Sequence, residues 1–393
     1  MTVERSGGAY VETVAGGETV RAFVPAPLPP DPPIEAISLL TKLNDAQRAL
    51  GRLDGVTLLL PSQELFLYMY VRKEAVLSSQ IEGTQSTLTE LLLFESSAQT
   101  GEPVDDVREV SNYVDAMMHG LERLGKFPLS LRLVREMHAR LLDSGRGATK
   151  DPGEFRRSQN WIGGTRPGNA LYVPPPADRL DRCLTDLEGF IHEDASGLPP
   201  LIKAGLIHVQ FESIHPFLDG NGRIGRLLVT LYLCEFDGME HPLLYLSLWL
   251  KENRATYYRL LQEVREHGAW EAWLEFFLEG VTQTANRAFD AARAIVALFE
   301  GDRVRIAGGG ASAHSALRIH EFLQRNPFAT AGRLAEATGL TPPTVNAALR
   351  ELERLDVVQE VTGRRRGRVF AYQGYLNILN EGTNAIPGND DGV

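Results

Sequence analysis

From Ile34 to Glu300 apolar residues recur three and four positions apart, and this period limits the fold more than any other feature of the chain. A 3.6-residue repeat cannot be laid down as a strand without scattering its apolar side chains over both faces, so this stretch must form amphipathic helices packed on one another. The repeat is carried by PSQELFLYMYVRKEAVLSSQIEG, DVREVSNYVDAMMHGLERL, SLRLVREMHARLL, DRLDRCLTDLEGFIHE and WEAWLEFFLEGVTQTANRAFDAARAIVALFE. Thr87 to Glu90 predicts a capping box opening a further helix, with Leu91, Leu92, Leu93 and Phe94 behind it. The expected fold is mainly α. With 393 residues, of which 43% are hydrophobic and 23% charged, the chain is long enough for two or three ordinary globular units.

The departures from this period mark the boundaries. Residues 22–33, AFVPAPLPPDPP, are too rich in proline for a helix or a central strand, so residues 1–33 are expected to be an extended arm, with ordered structure from Ile34. A helical region over 34–100 and a core over 101–301 would follow. Within the core, NWIGGTRPGNALYVPPP (160–176) sets two β-prone runs around a Gly, Pro and Asn cluster, a hairpin signal in an otherwise helical chain. DRVRIAGGGASA (302–313) reads as a linker, because no helix interior favours three successive glycines. Residues 314–377 then give helix, helix, turn, helix and a two-stranded wing, the order of a winged helix-turn-helix, with Thr341 capping the third helix and Pro342 in its first turn. Residues 378–393 are expected to be a disordered tail.

Composition removes several classes of function. Two cysteines, Cys183 and Cys234, make neither a disulfide framework nor a metal ladder and are expected to be reduced thiols in a cytoplasmic protein. The N-terminus lacks the order of a signal peptide, and no apolar run approaches the ~20 residues of a membrane helix, so no membrane partner is expected. The net charge of −11 argues against a chain devoted throughout to nucleic acid. Any basic site must be local, and Ser312–Asn377 does carry nine arginines against six acids, with Arg364, Arg365, Arg366 and Arg368 in the expected wing.

The segment His215–Arg226, HPFLDGNGRIGR, places an imidazole, a carboxylate, a glycine-rich turn and two guanidiniums at the start of one helix. Helix starts attract anions, since their free N–H groups and positive dipole end face outward. Gly220 and Gly222 allow phosphate oxygens close to the backbone, and Arg223 and Arg226, three apart, project from neighbouring positions. Gly220, Gly222 and Gly225 also spell the dinucleotide fingerprint GxGxxG, but that fingerprint belongs after a strand in a βαβ unit, and here no βα series exists. The preceding LIHVQFESIH fits strand and helix spacing alike. His208, Glu212 and His215 could share a helix face as metal ligands, yet Pro216 breaks the helix beside His215, and His208 reads better as a hydrogen-bonded core residue.

HPFLDGNGRIGR is similar to the signature of the Fic-domain (Fido) family, whose members transfer AMP from ATP to a hydroxyl of a target protein, and every named position of HPFx(D/E)GNGRxxR is present. The resemblance implies a Fic-type helical core, with His215 as general base and Asp219 holding Mg²⁺ on the phosphates of ATP. It implies a nucleotide cradle over Gly220, Asn221, Gly222, Arg223, Ile224, Gly225 and Arg226, with the Asn221 side chain on phosphate oxygens and the two arginines on the β and γ phosphates. The hairpin at 160–176 resembles the family's flap, so Ile162, Gly163, Gly164, Leu171, Tyr172 and Val173 would dock the target by strand addition. LYLSLWLKENRATYYRLL resembles the family's adenine wall, with Asn253 and Tyr257 as its candidates.

Upstream, SSQIEGT puts Ser78 one turn before Glu82, where its hydroxyl could fix the carboxylate, and Gly83 ends the helix. Beside the motif this stretch resembles the family's inhibitory helix, (S/T)xxxE(G/N), whose glutamate pairs with the second motif arginine; Glu82 would then deny Arg226 to the γ-phosphate. The expected function is therefore an autoinhibited protein adenylyltransferase. Removal of AMP, transfer of another phosphate moiety, and a DNA-binding regulator acting through the winged helix stay open beside it. The target protein is unknown, and self-modification, a homodimer and DNA contact are further partner readings.

Overall fold

The computed structural model describes residues 5–57, 60, 63–95, 105–193, 197–237, 242–310 and 312–384. The expected boundary at 100/101 and the tail residues 385–393 lie outside these. The chain opens not with an extended arm but with an antiparallel hairpin, β1 (Gly8–Ala15) and β2 (Glu18–Pro25), in register Val11 to Ala22. Gly16 and Gly17, at φ 57° and 82°, supply the left-handed two-residue turn that matches strand twist. Arg5 pins its base, donating to the carbonyls of Pro32 and Pro33 and pairing with Glu271 at 2.9 Å.

Helices α1 (Ala36–Thr57), α2 (Gln63–Ile81), α3 (Leu88–Glu95), α4 (Asp105–Leu124) and α5 (Leu131–Leu141) follow. The Thr87 capping box is present: Glu90 N donates to Thr87 Oγ1 and Thr87 N to Glu90 Oε2. Next come α6 (Ala177–His192), α7 (Pro200–Ile214), α8 (Asn221–Phe236), α9 (Ser247–Glu252), α10 (Arg254–His267) and α11 (Trp270–Ala307). The ambiguous LIHVQFESIH is helix as far as Ile214, the end of α7, whose residues from Leu201 to Ile214 are all buried. A helix buried all round has no polar face to reveal its period.

The linker expected over 302–313 begins later, because α11 runs through Ala307. Asp302 is buried on Arg305 and the Tyr372 hydroxyl, and Ile306 is in the core, so the last turns of α11 have their own packing and only the glycines interrupt them. The winged helix-turn-helix consists of α12 (Ala313–Arg325), β3 (Phe328–Thr330), α13 (Ala331–Thr338), α14 (Pro342–Arg354), β4 (Gln359–Glu360) and β5 (Val369–Ala371), with strand order β3-β5-β4. Thr341 stands at the N-cap of α14, but its hydroxyl bonds that of Thr344 rather than a helix amide. The tail expected from 378 is ordered as far as it is described: α15 (Gln373–Asn380) buries Tyr375, Leu376 and Leu379, and Thr383 is buried after it.

Candidate active site

The end of α7 and the start of α8 are joined by His215–Gly220. His215 closes α7 in the left-handed region, at φ 49°. Its amide donates to Phe211 O, and its carbonyl accepts from Arg156 Nε at 3.0 Å. The ring's Nδ1 is buried without a hydrogen-bond partner. Burial, then the positive charges of Arg265 and Arg156, push the imidazole down to about 3, so it is neutral at physiological pH with a lone pair available to take a proton.

The first helical hydrogen bond of α8 runs from Ile224 N to Gly220 O, so the amides of Asn221, Gly222 and Arg223 precede the ladder at the helix start. Gly220, at φ 76°, gives the turn its hand. Asn221 is not aimed at a ligand. Its Oδ1 accepts from Phe217 N at 2.8 Å and its Nδ2 donates to Phe217 O at 2.9 Å, so the side chain fixes the loop that carries His215. Ile224 and Gly225 also turn away, Ile224 into the core and Gly225 against Glu212 and Phe211, while the Gly225 carbonyl bonds His208. Of the residues expected to form the cradle, the Gly220, Asn221 and Gly222 backbone and the two arginines are the ones at the helix start.

Each arginine is already engaged. Arg226 is buried and donates to Ser78 Oγ at 2.8 Å, Ser78 O at 3.0 Å and Glu82 Oε1 at 2.7 Å. Ser78 thus fixes Arg226 directly and not Glu82, because it lies beneath the guanidinium. Glu82 follows the end of α2 and Gly83 turns the chain at φ 99°. The Glu82 carboxylate covers the start of α8: a Cβ on Gly222 would come within 2.3 Å of Glu82 Oε1. Burial raises the Glu82 pKa, but Arg226, aided by Arg223, outweighs it and leaves the group below its ordinary value. Arg223 pairs with Glu109 of α4, both fully buried, and reaches Asp219 Oδ1 at 3.4 Å. Arg146 also donates to Glu109, at 3.2 Å.

Two further side chains brace the motif. His138 of α5 stacks on Phe217 with ring centres 3.7 Å apart. Its Nδ1 accepts from Gly153 N, which leaves the proton on Nε2 to donate to Asp219 O at 3.0 Å. Burial holds it neutral, down to about 4. Arg156, buried, donates to the carbonyls of His215, Ser158, Pro175 and Ile214, joining both bases of the 160–176 hairpin to the motif. That hairpin is minimal: Ile162 and Tyr172 exchange amide bonds at 2.8 and 3.1 Å around a turn in which Gly163 and Gly164 have φ 66° and 71°. Leu171 and Trp161 stand exposed on it, whereas Tyr172 and Val173 are buried. On its other side Phe23 N donates to Val173 O, so β2 occupies part of that edge.

The adenine-wall candidates are placed differently from expectation. Asn253 joins α9 to α10, its Nδ2 donating to Trp249 O. Tyr257 is buried, its hydroxyl bonded to His208 Nε2 at 2.9 Å, and His208 stacks on Trp273. Tyr257 therefore belongs to the core, while Asn253 is half-buried at the helix junction. Tyr258, the exposed neighbour of Tyr257, feels the charges of Glu82 and Arg226.

No group of three or more His, Cys, Asp or Glu suited to a metal occurs among the described residues. Asp219 fits the more limited demand of Mg²⁺ on a nucleotide, which takes one or two carboxylates and obtains its other oxygens from phosphates and water. Its Oδ1 accepts from Gly220 N, which orients the carboxylate beside the helix start.

The chain matches the Fic/DOC family N-terminal description over residues 40–122, the Fic/DOC family over 128–233 and a winged helix-turn-helix DNA-binding family over 314–359. Among curated relatives, "Protein adenylyltransferase Fic" of Drosophila grimshawi is 31% identical over 190 residues, 47% of this chain and 36% of that protein. Its namesake in Drosophila melanogaster is 29% identical over 231 residues, 58% of this chain and 43% of that protein. The chain thus spans less than half the length of these relatives. A solved Fic family protein from Desulfovibrio desulfuricans G20 shares the fold at TM-score 0.55 and 20% identity, covering 84% of this chain and 95% of that one. With the motif, the helical core and these successive matches on one chain, the protein belongs to the Fic/DOC family and carries a C-terminal winged helix-turn-helix.

Proposed function

We propose that the protein is an adenylyltransferase that moves AMP from ATP to a hydroxyl of a target protein and is restrained by Glu82. The observation that carries this reading is the pairing, in one cleft, of a neutral His215 with a helix start whose anion position is taken by a carboxylate. In the reaction, the target oxygen bonds to the α-phosphorus, the bond from that phosphorus to the bridging oxygen of the β-phosphate breaks, and pyrophosphate leaves. His215 takes the hydroxyl proton. The amides at the α8 start and Arg223 stabilise the charge that builds on the phosphates, with Arg226 joining them once Glu82 withdraws. Asp219 would hold Mg²⁺, which when bound neutralises phosphate charge. The Ile162–Tyr172 hairpin offers backbone and the exposed Leu171 and Trp161 to an extended target segment, which suits docking with little reading of sequence.

The test is ATP labelled at the α or the γ phosphate, followed onto protein. Label from α alone, lost in His215→Ala, is the expected result; label from γ would replace the reading with phosphate transfer, and release of a preloaded AMP with removal. DNA contact is a second, separate reading, supported by the exposed wing arginines Arg365, Arg366 and Arg368. A salt-dependent gel shift of the full chain tests it, and no binding at low salt ends it.

A further inference from the structure

The segment after the winged helix returns to the end of α2, next to Glu82. Gln80, buried two residues before Glu82, has all its side-chain polar groups engaged. Its Nε2 donates to Ser86 O at 3.0 Å and to Thr383 O at 2.9 Å, and its Oε1 accepts from Lys251 Nζ at 2.7 Å. Two carbonyls on one side and an ammonium on the other fix the amide's orientation. Lys251 also donates to the carbonyls of Gly382 and Asn384. Thr383 is buried, and Asn380 Nδ2 donates to Thr89 Oγ1 of α3 at 3.0 Å. Gln80 thus ties the end of α2 to the chain beyond the Glu82–Gly83 turn, and ties both to the C-terminal segment. The turn's own bonds, Glu82 N and Thr84 N to Ser79 O, lie inside this tie.

We propose that Gln80 is the positioning residue that holds Glu82 over Arg226, and that residues 382–384 of the C-terminal segment hold Gln80 in place. The path is continuous: β5, the wing strand, leads through Tyr372 into α15 and then to Gly382 and Thr383. An amide with every donor and acceptor satisfied in a buried site has one favoured pose, and loss of the carbonyl at 383 leaves it unsatisfied. The inference rests on the reading that Glu82 restrains the transfer.

The test compares the full chain with Gln80→Leu and with Gly382→Val, each with and without Glu82→Gly, by the rate of label transfer from ATP labelled at the α phosphate. Gly382 has φ 79°, and a Cβ there would meet Leu248 at 2.7 Å, so valine displaces the segment from a point remote from the cleft. The expected result is a rise of fivefold or more from either substitution while Glu82 is present, and a change of less than twofold in the Glu82→Gly chain. An unchanged or lower rate with Glu82 present, or the same change in both backgrounds, overturns the inference. Should Glu82→Gly itself transfer no label, the functional reading fails, and the positioning role is read from amide hydrogen exchange at residues 79–84. Tenfold faster exchange in both variants supports the role, and unchanged exchange overturns it.

Discussion

Three carboxylates crowd Arg226, and only one of them is its salt-bridge partner. Glu82 holds the guanidinium; Glu74 is buried on Ser247 and Tyr113, and Glu212 is buried with Oε1 unpartnered. Burial pushes Glu212 up to about 7, against the pull of Arg226. A raised carboxyl contributes stability that is complete below its unfolded value of ~4.3 and is lost as pH climbs through about 7. Glu212→Gln should therefore be nearly neutral at about pH 4 and stabilising at about pH 8, by a margin on the order of 3 kcal/mol. Thermal unfolding of both chains at the two pH values checks this, and a constant difference would contradict it. The sign is opposite for Glu82, whose depressed pKa makes its pairing with Arg226 strongest above the carboxylate range and lost on acidification. The residues of HPFLDGNGRIGR could be read from the sequence because their spacing along one turn carries the chemistry. Glu109, Arg146, Arg156 and His138 could not, since each meets the site from a distant part of the chain; Glu109 lies 114 positions from Arg223.

Elements transmit these positions. The α7 end and the 160–176 hairpin converge because Arg156 satisfies carbonyls from both neighbourhoods with one rigid fork. Lysine has no such fork. Arg156→Lys is expected to lower transfer to a target protein at least tenfold while the KM for ATP stays within about twofold, a loss of roughly 1.4 kcal/mol or more confined to the acceptor side. Steady-state kinetics with both substrates decides; a rise in the ATP KM alone would place the residue in nucleotide binding. At this scale the sequence pattern was readable for helices with one wet face, and for the wing. It failed where the pattern had another cause. YVETVAGGETVRAFV alternates around a Gly-Gly pair, a hairpin signal that the following prolines overshadow. In α7, burial on every side removed the contrast that separates helix from strand. In α11, the charged DRVR turn looked like linker but is held by Asp302 and Ile306.

The whole molecule is organised around α11, whose 38 residues reach roughly 57 Å from the helices around the motif to the winged helix. Its far end packs on α12 and α15, and Thr383 and Asn380 return to α2 and α3, so the winged helix is joined to the core at two places. Calorimetry of the full chain should show one cooperative transition with agreeing calorimetric and van't Hoff enthalpies; two separated transitions would contradict this coupling. The two motif arginines and Arg146 are gathered at one helix start of an acidic chain and held by Glu82, Glu109 and Asp219, and under the proposed function a nucleotide would compete with these carboxylates. Removing the Glu82 carboxylate should leave Arg226 to the nucleotide. The measurement that bears most directly on the account is the initial rate of label transfer from ATP labelled at the α phosphate, for the wild-type chain and Glu82→Gly under matched conditions. The account predicts a rise of tenfold or more that disappears when His215→Ala is added; an equal or lower rate in Glu82→Gly would contradict it.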